Sequence, residues 1–199
     1  MQPTVSADTV LEFWFGTPTE PDYGTYRKAW FTKDAEFDSQ IRQRFLLAVE
    51  AAAEGDYAQW QSTAISSVAL LLLLDQFPRN IYRGDPRSFS ADEKALSVAQ
   101  GLVDSGAHKR LIPAQRFIVY VPFEHSEAME NQNRCVALME ALNHEFPNLE
   151  KGLANGLDYA VRHRDVIERF GRFPHRNAVL GRVSTPEELE FLQHPGSRF

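Results

Sequence analysis

Apolar residues recur at helical spacing along the chain, and each run is bounded by residues that start or stop helices. Ser6-Ala-Asp8 opens a short helix with Val10, Leu11, Phe13 and Trp14, closed by Gly16. Pro18, Pro21 and Gly24 make 16–33 a loop, and Trp30 and Phe31 lead into a helix from Asp34. Its apolar face is Phe37, Ile41, Phe45, Ala48, Val49 and Ala52, and Gly55 stops it. From Gln61 to Phe77 the residues Ala64, Ile65, Val68, Ala69 and Leu70 to Leu74 leave few polar positions. Most of that helix's circumference is therefore expected to be buried, with Pro78 as its terminator.

Ser90-Ala-Asp-Glu93 reads as a capping box for a helix to Asp104–Gly106. Pro113 suits the first position of a helix through Gln115, Phe117, Ile118 and Val121, which Pro122 is expected to end. Ser126 is the expected cap of a helix holding Cys135, Val136, Leu138, Met139 and Leu142. Residues 153–170 form the next, with ion pairs Asp158–Arg162 and Asp165–Arg169 on its wet face and Gly171 at its end. Thr185-Pro186-Glu187-Glu188 is a second capping box and opens a last helix. The pattern predicts an all-α fold, an antiparallel array of about eight helices in one domain over residues 1–199.

Three of these helices end in aromatic–proline turns: Phe77-Pro78-Arg79-Asn80, Pro122-Phe123-Glu124-His125 and Phe173-Pro174-His175-Arg176. One helix intervenes each time, so in an up-down array the three turns emerge at the same end. Phe anchors each turn and Pro stiffens it, presenting Arg79, Asn80, Glu124, His125, Arg172, His175 and Arg176 from a rigid base. Asp75 and Gln76 lie one turn back, and Arg83 just beyond. His163 shares the inward stripe of its helix with Ala160, Ile167 and Phe170, where a histidine needs a hydrogen-bond partner. Each residue also has a structural reading: arginines cap helix C-termini, Asn80 stabilises its own turn, and the carboxylates pair with the arginines.

Charge adds one distinction. The chain carries −6 overall, which argues against nucleic acid as a partner. Residues 162–182 hold six Arg against Asp165 and Glu168, or +4, leaving 15 bases and 25 acids elsewhere. A basic patch inside an acidic protein suits a small anion, although solvated arginines on a helix face give the same count. Cys135 stands alone, which fits a reducing compartment. Met1 to Phe15 lacks the features of a secretory signal, and the longest apolar run, Val68 to Leu74, is too short to cross a membrane. The cytoplasm is the expected location.

The segments Leu74-Asp75-Gln76-Phe77-Pro78-Arg79-Asn80-Ile81-Tyr82-Arg83-Gly84, Pro122-Phe123-Glu124-His125-Ser126-Glu127 and Phe170-Gly171-Arg172-Phe173-Pro174-His175-Arg176-Asn177, with Leu180-Gly181-Arg182, resemble a largely bacterial family known as domain of unknown function 924. Phe13-Trp14-Phe15-Gly16 and Trp30-Phe31-Thr32-Lys33-Asp34 are similar to its N-terminal pattern, and Glu130-Asn131-Gln132 departs from it slightly. The resemblance implies a tetratricopeptide-repeat-like superhelix with degenerate repeats, and brings no established reaction.

Two functions are compatible with this. In one, Asp75, Gln76, Arg79, Asn80, Arg83, Arg172, Arg176, Asn177 and Arg182 hold a phosphate- or carboxylate-bearing ligand. His125, His163 or His175 then acts as acid or base with Glu124. In the other, the fold is a peptide-binding scaffold with Tyr23, Tyr26 or Tyr82 in a groove. No nucleophile elbow, phosphate loop or dinucleotide fingerprint occurs, so no cofactor is assigned, and Ser126 and Cys135 read as a cap and a core residue. His125, His163, His175 and Glu124 lack paired metal-ligand spacing. Neither a reaction nor an oligomeric state follows from these residues.

Overall fold

The computed structural model describes residues 5–197, so the ends of the expected 1–199 domain lie outside the described residues. Those residues fold into helices and turns without a strand. In chain order the helices are α1 (Ala7–Phe15), α2 (Ala35–Glu54), α3 (Ala64–Leu71), α4 (Phe77–Ile81) and α5 (Asp92–Asp104). They continue with α6 (Pro113–Glu124), α7 (Met129–Glu145), α8 (Lys151–Ala154), α9 (Gly156–Phe170) and α10 (Pro186–Phe191). A π-helical segment, Leu72–Gln76, joins α3 directly to α4. The all-α class is as the sequence predicts.

Several termini form for the expected reasons. Ser6 Oγ accepts from the Thr9 amide, and Asp34 Oδ1 from the amides of Glu36 and Phe37. Thr185 and Glu188 exchange bonds at 2.7 and 3.2 Å in a complete capping box. Gly55 and Gly171 adopt the left-handed conformation that closes α2 and α9.

Other expectations fail, each for a local reason. Pro78 does not end its helix. The Phe77 amide reaches back to the Leu72 carbonyl, the i→i−5 bond of a π-turn, and the chain runs on through Ile81. The wider turn accommodates the donor and ring clash that proline would impose on a regular helix. Pro122 likewise lies inside α6, where one lost bond in the final turn is tolerated and His125 still donates to Val121. Ser90 forms no capping box: a 3₁₀ turn over Pro86–Phe89 precedes α5, and the Ser90 hydroxyl donates back to the Arg87 carbonyl. Ser126 is not the cap of α7, which begins after Ala128; it accepts from the Ala128 amide and the Asn131 side chain. The i,i+4 pairs on α9 are also replaced, because Arg169 reaches Glu187, Arg164 bonds Asp165, and Arg162 donates to the Gly196 carbonyl.

The core centres on α6, in which every residue from Ala114 to Glu124 is buried against α3, α5, α7 and α9. The leucine-rich stretch behaves as expected, with Leu70 to Leu74 enclosed on all sides. Aromatic rings fill the junction of α1, α2 and α4. Trp14 stacks on Trp30 at 5.4 Å, and Phe13, Phe37, Phe45 and Phe77 meet edge-on or offset. A smaller apolar cluster of Val166, Ile167 and Phe173 packs beneath α9.

Candidate functional site

The π-segment places Asp75 and Gln76 where α6 ends, and the first two turns meet there. His125 Nδ1 donates to Asp75 Oδ1 at 2.8 Å, and Gln76 Nε2 donates to Asp75 Oδ2 at 2.6 Å. Arg79 lies 3.2 Å from the same carboxylate. It also makes a two-pronged bond to Asp92, both arms at 2.9 Å. The third turn closes in through Arg176, whose Nη1 is 3.6 Å from Asp92 Oδ2. Phe89 lies under both guanidiniums, Arg79 at 5.6 Å and Arg176 at 4.8 Å. The three turns therefore converge, as chain direction predicts.

Behind this dyad sits Glu124. Its Oε1 is 3.6 Å from His163 Nδ1, beyond hydrogen-bonding range, and its Oε2 is enclosed without a partner. His163 instead donates to the Tyr159 carbonyl and stands edge-on to Phe173. Gln132, buried at the start of α7, fixes the turn by donating to the carbonyls of Glu124 and Ser126 at 2.7 and 2.6 Å.

Burial and neighbouring charge set the protonation states. Burial alone would keep Asp75 protonated, but the Arg79 charge, His125 and the Gln76 hydrogen bond together outweigh it and hold the carboxyl well below its usual range. Burial pushes Glu124 up to about 8, and the Asp75 charge adds to the effect against Arg79. Burial, followed by Arg79, keeps His125 below the ordinary histidine range despite Asp75. Burial and Arg176 take His175 down to about 3, and burial carries His163 well below its usual value. At neutral pH the cluster thus holds ionised Asp75, a protonated Glu124 and neutral histidines. Such an opposed pair of carboxyls is an arrangement that supports proton transfer.

Of the two guanidiniums in the cluster, Arg176 is the less satisfied. It is 6% exposed and lies over the rings of Phe89 and Phe173, at 4.8 and 4.4 Å. Its guanidinium donates no hydrogen bond to any described residue, and Nε is fully enclosed. Burial, with Arg79 nearby, lowers it to about 10.

The remaining candidate ligands are committed elsewhere. Arg83 and Asn80 both bond Asp38 of α2. Arg172 is bidentate on Glu188, and Asn177 donates to Ser184 and Glu188. Arg182 grips Glu127, which also accepts from the Phe173 amide. Much of the basic stretch of sequence is thereby neutralised by acids from α10 and the α6–α7 connection. The sequence singled out neither Asp92 nor Phe89, because nothing in their local pattern marks a partner thirteen residues away.

Cys135 is buried, and burial raises its thiol well above the usual value. None of Tyr23, Tyr26 and Tyr82 is exposed, and the Tyr82 hydroxyl donates to Glu50. A hollow of about 380 Å³ lies between the end of α2 and Pro78, Tyr82 and Arg87. A second, of about 250 Å³, is bounded by α9 and Phe191. Neither is lined by Asp75, Glu124, His125 or Arg176. Among the described residues no group of three or more His, Cys, Asp or Glu could hold a metal ion, and no helix is long and apolar enough to cross a membrane.

The model of a family described as a bacterial protein of unknown function, DUF924, matches residues 10–196. The chain is similar to a solved structure of a protein of unknown function from Agrobacterium tumefaciens. The two share 39% identity over 94% of this chain and 96% of that one, with a TM-score of 0.79. No curated protein matches the chain.

Proposed function

The chain belongs to the bacterial family of unknown function DUF924, and on that footing we propose that its three converging turns form an acid–base site for a small anionic molecule. The observation that carries the reading is Arg176, a buried guanidinium over two aromatic rings with no hydrogen bond to a described residue. An unmet buried donor costs about 1–3 kcal/mol, and a carboxylate or phosphate meets the fork with two parallel bonds. His125 supports the same reading. Its Nδ1–H is committed to Asp75, which orients the ring and leaves Nε2 as the basic atom. The neutral Glu124 carboxyl is the complementary acid.

In this reading Arg176 holds the ligand's negative group, His125 Nε2 is the atom that accepts a proton, and the Glu124 carboxyl is a second group that holds one. Arg79 keeps Asp75 ionised and does not grip the ligand. Calorimetry with acetate, phosphate and sulfate tests it. Arg176→Gln should weaken anion binding by about 10–100-fold, the worth of one charge-assisted bidentate contact. Arg83→Ala, which cuts only the Asp38 pair, should leave affinity unchanged. Absence of anion binding by a folded wild-type protein, or unaltered affinity in a folded Arg176→Gln variant, refutes the assignment.

A further inference from the structure

The charges that meet at the three turns narrow the kind of anion the site takes. His125 is faced by Asp75, Arg79 and Gln76 from the π-segment and α4, and by Asp92 from α5. His163 faces it from α9, and His175 and Arg176 from the third turn, with Glu124 beside it on α6. Two guanidiniums, Arg79 and Arg176, stand against two carboxylates, Asp75 and Asp92. The unpartnered Oε2 of Glu124 belongs to a carboxyl already next to the Asp75 charge. Arg182 and Glu127, just outside, cancel each other. The site is balanced before any ligand enters.

A buried cluster of this kind resists uncompensated charge, because desolvating an unpaired ion costs several kcal/mol. A dianion on Arg176 leaves two negative charges over; a monoanion leaves one, which a single proton cancels. His125 is the group able to take it. Its Nδ1 is bonded to Asp75, its Nε2 has no hydrogen bond to a described residue, and it is neutral before the anion arrives.

We propose, building on the anion-site reading above, that the ligand is a singly charged carboxylate, and that one proton from solvent is taken up by His125 Nε2 as it binds. The carboxylate then lies between the Arg176 fork and the new imidazolium, and the net charge of the cluster is unchanged. No covalent bond forms or breaks apart from the one to that proton.

Titration calorimetry of acetate, lactate and sulfate into the folded protein, in buffers of different ionisation enthalpy, counts the protons. The carboxylates should bind at least about 10-fold more tightly than sulfate. Each should take up about one proton above the range where free His125 titrates, with affinity falling as pH rises. His125→Asn retains a side-chain amide to face Asp75 but cannot titrate, so its carboxylate affinity should drop and its proton uptake vanish. Sulfate binding as tight as acetate, binding without proton uptake, or full uptake in His125→Asn overturns the inference and leaves the anion site standing. Failure of all three probes to bind overturns the anion site itself.

Discussion

Replacing Glu127 with glutamine is the sharpest test of how the third turn is held. Glu127 accepts from the Phe173 amide at 2.8 Å and from Arg182 at 2.7 and 3.0 Å, while Arg182 also donates to the Phe173 carbonyl at 3.0 Å. The two side chains are 30% and 24% exposed, so the pair lies between a surface bridge and a buried one. The substituted amide would keep the shape, lose the charge and turn one acceptor into a donor facing other donors. Arg182, whose Nε is already enclosed without a partner, would be left further unsatisfied. The expected cost is about 2–3 kcal/mol, below the value for a fully buried pair. In a chain of this length that lowers the melting temperature by about 4–12 °C. The Arg182 bonds, with the Phe173 amide, hold Glu127 below the usual carboxylate range against its own burial. A depressed carboxyl stabilises the fold above its unfolded pKa and loses that contribution as pH falls through the folded one. The deficit of the variant should therefore be full at neutral pH and shrink in acid. Urea unfolding of wild type, Glu127→Gln, Arg182→Met and the double variant measures it. A loss under about 0.5 kcal/mol, or strictly additive single variants, would refute the clamp.

Three further outcomes follow from the packing. Cys135 should be silent to thiol reagents in the native protein and react only after denaturant unfolds it, because its thiol is buried and raised. Gly156→Ala should cost about 1–3 kcal/mol by pushing a methyl against the Phe117 ring, whereas Gly101→Ala, with open space around it in α5, should gain up to about 1 kcal/mol; thermal melts distinguish the two. His175 resists protonation down to about 3 while the unfolded chain accepts it near 6.5, so stability should fall between those values, and His175→Asn should flatten that slope in urea titrations at successive pH.

The parts of this molecule legible in its sequence are those whose causes are local. Asp34, Thr185 and Gly171 set helix ends through contacts within four residues, and each stands where expected. The meeting of the turns was legible too, since it depends only on chain direction. The π-segment was not. Leu70 to Leu74 are buried all round, so the run has no polar face from which a change of helical period could be read. Nor were the owners of the arginines visible. Asp38 holds Arg83, Asp92 holds Arg79, and Glu188 holds Arg172 across 13 to 45 residues of chain. The arginines gathered at one end of the array looked like a surplus of positive charge; long-range pairing had already consumed most of it. Arg176 stands out only after those pairs are subtracted.

The wide turn at Leu72–Gln76 has a consequence for the whole helix that carries it. It amounts to one extra residue in an otherwise regular spiral, and one residue is about 100° of rotation. Everything before it and everything after it is therefore set out of phase by roughly that angle. The leucines of α3 can face the core while Phe77 still meets the rings of Phe13 and Phe45, and Asp75, on the step between them, is left pointing at His125. Deleting a single leucine from this run would restore a uniform spiral and keep the helix apolar. It would also swing the aromatic side and the carboxylate out of register with each other, so the length of the leucine run matters to this protein as much as its composition.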